Sequence, residues 1–252
     1  MKCDMSSDQE SSRRTAIIAG AGALLFPAVA LSAKQGNGPG EEKPAGAVED
    51  LMRDHGVLRR ALLVYSETVT KIRTHPDRVD AGALNWTARF FRRFGEDYHQ
   101  HRLEEQFLFP EVKRAGGTAA GYIDVLVEQH RRGREITDYI MAVTQSGKIR
   151  PNDADKLARA LSTFVRMYQN HTAREDTIVF PAWKMAITSH ELKAVGDQIE
   201  HIENEQFGSD GFEKAAAEIS HIEQRLGLVN LAQFTAAPPV DGHSRPPIAF
   251  LR

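Results

Sequence analysis

Apolar and polar positions follow the helical period through most of the chain, and the alternation typical of strands is nearly absent. Capping residues, glycines and prolines divide this pattern into long segments. We expect four long helices at about 48–73, 80–114, 118–145 and 152–185, the last bent at Pro181. Long helices with short connections are typical of an antiparallel up-down four-helix bundle, so the predicted fold class is all-α.

The regions that flank the predicted bundle at 48–187 differ from it in composition. Residues 34–47 are mainly Gly, Pro, Glu and Lys, which indicates a linker. Residues 188–235 form a helical extension with two shorter helices, which we expect to pack on the outside of the bundle or to contact a partner. Residues 236–252 are rich in proline and predict an extended tail.

Residues 1–33 have the features of an export signal. Arg13 and Arg14 precede an uncharged run of Ala, Leu and Gly, with small residues for cleavage at Ala30 or Ala33. Paired arginines before such a run resemble a twin-arginine signal, which exports folded proteins. The alternative is an uncleaved membrane anchor, since about 18 apolar residues can just span a bilayer. We expect a periplasmic or other extracytoplasmic protein.

Charge and cysteine content exclude several classes of function. The formal net charge is −2 and no face rich in Lys and Arg is evident, which argues against nucleic acid as a partner. The one cysteine, Cys3, precedes the predicted cleavage site. Disulfides, zinc–thiolate sites and thiol catalysis are therefore not expected in the exported chain. The oligomeric state does not follow from the sequence.

One histidine lies on the apolar stripe of each long helix: His55, His101, His130 and His171. Side chains three, four and seven residues apart share a face of an α-helix, so we expect these imidazoles to face the bundle axis. Buried imidazoles need partners for their ring nitrogens. His99 lies about 200° around an α-helix from His101, which predicts a solvent-facing side chain.

Two of these histidines are followed by a carboxylate one turn later, Glu105 after His101 and Glu175 after His171. Two buried carboxylates side by side repel each other unless a cation lies between them. Four imidazoles and two shared carboxylates form the ligand set of a two-metal site. If both carboxylates bridge, each metal has two nitrogen and two oxygen ligands, and a bridging oxide or hydroxide raises the number to five.

Some assignments remain open at this stage. Asp176 is the alternative to Glu175, because alignment of the two Phe-Pro pairs places Asp176 opposite Glu105. Glu104 either supports the ligands from behind or is an exposed charge. Mixed imidazole and carboxylate ligation suits iron or manganese, although affinity alone also allows zinc or copper.

The motifs resemble those of a known family. Residues 101–110 and 171–181 each contain His-(x3)-Glu followed by Phe-Pro, as in the paired motifs of the hemerythrin superfamily, and His55 and His130 resemble its two lone histidines. The resemblance covers about 48–207. It implies a hemerythrin-like bundle with two iron ions that binds dioxygen, nitric oxide or peroxide, and that sometimes serves in sensing or iron handling.

One position departs from the oxygen-carrying members of that family. They have a second histidine one turn after the third-helix histidine, and this chain has Arg134 there. One iron then has fewer protein ligands, which favours redox chemistry over reversible oxygen carriage, and the guanidinium is placed to hydrogen-bond a bound anion. The functions that follow are binding of a small oxidant or, alternatively, removal of peroxide by a di-iron oxidoreductase, or iron storage and delivery.

Overall fold

The computed structural model describes residues 46–238. The predicted signal segment at 1–33, the linker up to 45 and the tail from 239 lie outside the described residues. Within 46–238 the chain is helical apart from short turns and contains no strand, which confirms the all-α class. The elements are α1 (Ala47–Thr74), α2 (Ala81–Phe90), π1 (Phe91–Leu108), α3 (Phe109–Ala115), α4 (Gly117–Ala120), α5 (Ile123–Thr144), α6 (Pro151–Arg174), π2 (Glu175–Val179), α7 (Phe180–Ala186), α8 (Ser189–Phe207) and α9 (Gly211–Leu226).

The second long helix is where the structure departs most from the sequence-based expectation. Asp80 caps it as predicted, because its side chain accepts a hydrogen bond of 2.8 Å from the backbone N–H of Ala83. The predicted extent, 80–114, agrees with the continuous helical run of α2, π1 and α3. The expectation of α-helical geometry throughout is wrong, however, because π1 has π-helical hydrogen bonds from residue i to i+5. Such bonds bring residues five apart, rather than four apart, onto one face.

The fourth long helix contains a second and shorter π-helical segment. π2 ends at Val179, directly before Phe180-Pro181, just as π1 ends directly before Phe109-Pro110. Proline has no N–H to donate, so it cannot continue the α-helical hydrogen-bond ladder. The interruption that the sequence places at Pro181 is thus accompanied by a change of hydrogen-bond pattern over Glu175–Val179, the five residues before Phe180.

The long helices pack along one another around an aromatic core. α1 packs on α6, and α5 packs on both α2 and α6. Between them lie buried rings, among which Phe164 contacts Phe91 with 5.0 Å between ring centroids and Tyr65 with 5.5 Å. Burial of each such side chain contributes roughly 1.5–3 kcal/mol to stability. This aromatic layer adjoins the buried histidines, because Tyr168 lies 5.3 Å from the ring of His171.

The two C-terminal helices pack against this core, which is the first of the two arrangements expected for them. α9 contacts α1 and α2, and α8 contacts α1 and π1. Arg60 donates a 2.9 Å hydrogen bond to Glu223, and the indole N–H of Trp86 donates one of 2.8 Å to Glu218. Of the helices within residues 46–238, none is both long and apolar enough to cross a bilayer.

Candidate metal centre

Six ionisable side chains from four stretches of helix meet in the interior, and none of them is more than 2% exposed. They are His55 of α1, His99 and Glu104 of π1, His130 of α5, His171 of α6 and Glu175 of π2. Four of the six, His55, His130, His171 and Glu175, were predicted from the sequence to lie in the core.

The other two predicted residues, His101 and Glu105, lie elsewhere. The side chain of His101 is 51% exposed and contacts Glu105 and Gln106 on its own helix, so the expectation that it faces the axis is wrong. The expectation that His99 faces solvent is also wrong, because its residue is 1% exposed. Both errors have one cause. The α-helical period pairs His101 with Glu105, whereas the π-helical period of π1 pairs His99 with Glu104.

The six side chains form two groups that share both carboxylates. In the His130 group, the Nε2 atoms of His130 and His171 lie 3.0 Å apart. Glu175 Oε1 lies 3.0 Å from His171 Nε2, and Glu104 Oε2 lies 3.4 Å from His130 Nε2.

In the His55 group, Glu104 Oε1 lies 3.3 Å from His99 Nε2, and Glu175 Oε2 lies 3.5 Å from His55 Nε2. Each carboxylate therefore directs one oxygen to each group. This is the arrangement expected if both carboxylates bridge two cations, each with two nitrogen and two oxygen ligands.

The outward nitrogen of every imidazole in the centre has an oxygen acceptor at hydrogen-bond distance. The pairs are His55 Nδ1 with Asp176 (2.7 Å), His99 Nδ1 with Asp54 (3.0 Å), His130 Nδ1 with Glu105 (2.8 Å) and His171 Nδ1 with Gln129 (2.9 Å). A carboxylate or amide oxygen only accepts, so each Nδ1 donates a proton to the hydrogen bond, and the Nε2 atom of a neutral imidazole directs its lone pair into the centre. Hydrogen bonds of this kind orient histidines that ligate metals.

This arrangement leaves the inner atoms without hydrogen-bond partners. Among the described residues, His99 Nε2 and all four carboxylate oxygens of Glu104 and Glu175 have none. Buried polar atoms in folded proteins are almost always paired, and a cluster of lone pairs in an apolar interior is costly. A cation surrounded by these atoms satisfies all of them at once, so the residues present fit a metal centre.

The protonation preferences agree with this interpretation. Burial lowers the pKa of His55 to about 3 and the pKa values of His130 and His171 to about 4, so these imidazoles are neutral near pH 7. Burial also raises the pKa of Glu175 to about 8. Burial also lowers the pKa of His99, but the negative charges of the nearby Glu104 and Asp54 outweigh this effect and raise the pKa to about 10. A cation between the groups replaces the protons that these side chains otherwise hold.

Asp176 and Glu105 occupy equivalent places behind the centre. Asp176 accepts hydrogen bonds from His55 and from Arg59. Glu105 accepts from His130 and, at 2.8 Å, from Arg134. The structure thus places Glu175 inside the centre and Asp176 outside it.

The guanidinium of Arg134, which the sequence suggested as a partner for a bound anion, hydrogen-bonds the carboxylate of Glu105. Glu104, for which two roles were open, lies at the centre itself.

The two Phe-Pro motifs provide apolar walls for the centre. Phe109 stacks on His130 with 5.6 Å between ring centroids, and Phe180 stacks on His55 with 5.3 Å. The motif that follows each carboxylate therefore covers the lone histidine of a neighbouring helix. These rings are fully buried and exclude water from that side of each imidazole.

Comparison with known proteins identifies the class to which this helical fold and buried histidine–carboxylate centre belong. A model of the hemerythrin HHE cation binding domain matches residues 46–183, more than half of the chain. The chain therefore belongs to the hemerythrin HHE cation-binding family, whose domains bind iron.

Similar proteins occur in Mycobacterium tuberculosis and Mycobacterium bovis. They are 41% identical to the chain over 198 residues, which cover 78% of this chain and 76% of theirs. Their names describe them as uncharacterized, so they indicate no activity. No solved structure is significantly similar to the chain.

Proposed function

We propose that this protein binds two iron ions in the buried centre and uses them to bind a small oxidant, namely dioxygen, nitric oxide or peroxide. The proposed ligands are His55 and His99 for one ion, His130 and His171 for the other, with Glu104 and Glu175 shared. The observation that carries the proposal is the set of unpartnered inner atoms, all at least nine-tenths buried, in a member of an iron-binding family.

The fold supports this proposal if its helices form an antiparallel up-down bundle. In that arrangement the four helices are α1, the continuous run α2–π1–α3, α5, and the continuous run α6–π2–α7. Each of them supplies at least one ligand. α8 and α9 lie outside the four. If two iron ions are bound, Glu104 and Glu175 would hold both of them, and the oxide or hydroxide predicted from the sequence would supply one further ligand to each.

Iron in such a centre supplies one-electron redox chemistry and binding positions for small molecules. The chain's own residues orient four imidazoles, keep three of them (His55, His130 and His171) neutral through burial, hold two carboxylates between them and exclude water with aromatic rings. Arg134 is engaged with Glu105, at the position where oxygen carriers of the family have a further histidine. This supports a centre with a position for an external ligand, and it keeps a peroxide-removing oxidoreductase as the second candidate function.

Export remains part of the proposal, and it depends on residues 1–33, which lie outside the described residues. We propose a periplasmic location reached by the twin-arginine route. Replacement of Arg13 and Arg14 by lysine, followed by cell fractionation, tests this separately from the metal centre, because the substituted residues are remote in sequence from every proposed ligand.

The proposed function is tested by metal analysis of the full chain made with iron supplied, followed by absorption spectra in air, after dithionite and after addition of peroxide. We expect two iron ions per chain and a spectrum that changes with each treatment. A spectrum restored by cycles of air and dithionite favours ligand binding, whereas continuous loss of peroxide favours the oxidoreductase. A fully folded chain that contains no metal under these conditions contradicts the proposal.

A further inference from the structure

The two halves of the centre repeat one arrangement of residues. In each half, a lone histidine is followed four residues later by an arginine, His55 by Arg59 and His130 by Arg134. Each arginine pairs with the carboxylate that accepts a hydrogen bond from that histidine. Each of these carboxylates directly follows a shared carboxylate in sequence. Behind each lone histidine there are therefore one carboxylate and one arginine, so the charges on the two sides are matched.

The residue directly before each lone histidine accepts the hydrogen bond from the other imidazole of the same group. Asp54 precedes His55 and accepts from His99. Gln129 precedes His130 and accepts from His171. Here the two halves differ by one charge, because Asp54 is a carboxylate and Gln129 is an amide.

The charge of Asp54 is not balanced by an arginine in the way that the charges of Asp176 and Glu105 are. Asp54 is 4% exposed, and the hydrogen bond and ion pair found for it among residues 46–238 are both with His99. The charge of the neighbouring Arg53 favours ionised Asp54, but the guanidinium of Arg53 forms its ion pairs with Asp50 and Glu213. Among the acceptors behind the imidazoles and the arginines that pair with them, the His55 group therefore has one carboxylate more than the His130 group.

We infer that Asp54 and Gln129 make the two metal positions unequal, so that the ion in the His55 group is held more tightly than the ion in the His130 group. The inference rests on the proposed two-metal function and adds to it the residues that set the order of metal release. A hydrogen bond from Nδ1 to a carboxylate makes an imidazole a stronger ligand than one to an amide, and changes of this kind alter metal affinity by about 10–100-fold. The unbalanced charge of Asp54 acts in the same direction.

The inner atoms by themselves favour the opposite order. One oxygen or nitrogen from each of Glu104, His130, His171 and Glu175 lies within 4.8 Å of the others, whereas the corresponding close set on the other side is His55, His99 and Glu104. Glu175 completes the second set through its 3.5 Å contact with His55 alone. Both groups share the same two carboxylates, and the inference is that the acceptors behind the imidazoles outweigh this difference between the inner atoms.

The test uses two substitutions that exchange this charge without a change of side-chain size, Asp54→Asn and Gln129→Glu, alone and together. The full chain is loaded with Co²⁺, and its release to a competing chelator is followed through the visible absorption of bound Co²⁺. We expect two release steps in the wild type that differ about 10–100-fold in affinity. Asp54→Asn brings the steps together by weakening the tighter one, and Gln129→Glu does so by strengthening the weaker one.

The double variant separates this role from a purely structural one. Asp54→Asn with Gln129→Glu moves the extra charge to the other group, so two separated steps return. Damage to the fold does not strengthen the weaker step or restore the separation. If both single substitutions shift affinity in the same direction, or if the steps are unchanged in all variants, the inference is overturned while two Co²⁺ ions still bind. Binding of fewer than two ions by the wild type instead contradicts the proposed function.

Discussion

His99 and Glu104 are five residues apart in π1, and the Nε2 atom of His99 lies 3.3 Å from Oε1 of Glu104. This relationship exists because π1 has i to i+5 hydrogen bonds. It moves His101 and Glu105, the pair favoured by an α-helical period, out of the centre. The neighbouring residues therefore provide matched control variants.

Substitution of the two histidines is expected to have opposite outcomes. His99→Ala removes a proposed ligand and leaves Asp54 buried without its partner, so we expect loss of at least one of the two proposed iron ions. His101→Ala changes a half-exposed side chain and is expected to retain both ions. Metal analysis of the two purified variants provides the measurement. If His99→Ala retains iron and His101→Ala loses it, the ligands are His101 and Glu105, the pair that an α-helical period favours.

Substitution of the two adjacent glutamates, Glu104 and Glu105, is expected to weaken metal binding to different degrees. Glu104→Gln removes one of the two shared carboxylate charges at the centre, so we expect loss of both proposed ions. Glu105→Gln keeps an oxygen acceptor for His130 but removes the charge paired with Arg134, and we expect metal affinity to fall by about 10–100-fold. Chelator competition measures both effects. Similar losses in the two variants contradict the distinct places given to these carboxylates.

Gly133 makes room for the hydroxyl of Tyr168. A Cβ atom at residue 133 would lie 1.9 Å from the Tyr168 hydroxyl oxygen, so Gly133→Ala forces the buried ring to move. We expect the free energy of unfolding to fall by about 1–3 kcal/mol, as for other overpacked cores. Chemical denaturation of the loaded protein measures it.

The control is Gly56→Ala, since a Cβ atom there meets nothing within 4 Å. Alanine is favoured over glycine in a helix, so we expect a gain of about 0.5–1 kcal/mol. Addition of Tyr168→Phe to Gly133→Ala should recover part of the loss. A Gly133→Ala protein as stable as Gly56→Ala shows that the ring has other space available.

Glu96 gives the unfolding free energy a defined dependence on pH. Burial raises its pKa to about 7 from the ordinary value of 4.5, although Thr137 donates it a 2.5 Å hydrogen bond and Arg92 lies 2.7 Å away. Between pH 4.5 and 7 the folded state therefore binds more protons at Glu96 than the unfolded state. The contribution of this group to stability is complete below pH 4.5 and is lost as the pH rises through 7.

Glu96→Gln removes this titration. We expect the stability of Glu96→Gln relative to the wild type to increase from pH 5 to pH 8 by up to about 3 kcal/mol. Denaturation of both proteins at several pH values measures the difference, in which the contributions of other groups cancel. A difference that stays constant, or that falls with pH, shows that Arg92 and Thr137 keep the carboxylate ionised.

The extent of the helices and four of the six buried ionisable residues follow from local features of the sequence. Asp80 begins a helix through capping and Pro181 interrupts one through its missing N–H, and these effects act within a few residues. The apolar stripes around His55, His130 and His171 are likewise visible in sequence, because α1, α5 and α6 keep the α-helical period.

The choice of His99 and Glu104 over His101 and Glu105 depends on the tertiary structure. Both pairs have plausible spacing, and one extra residue per hydrogen-bonded turn decides between them. π-helical hydrogen bonds are unfavourable locally, so packing against other helices has to stabilise them. The acceptors behind the histidines, such as Asp54 and Gln129, also come from other helices. Sequence alone thus predicts a centre of histidines and carboxylates, whereas contacts between helices determine which residues form it and how charge is distributed around it.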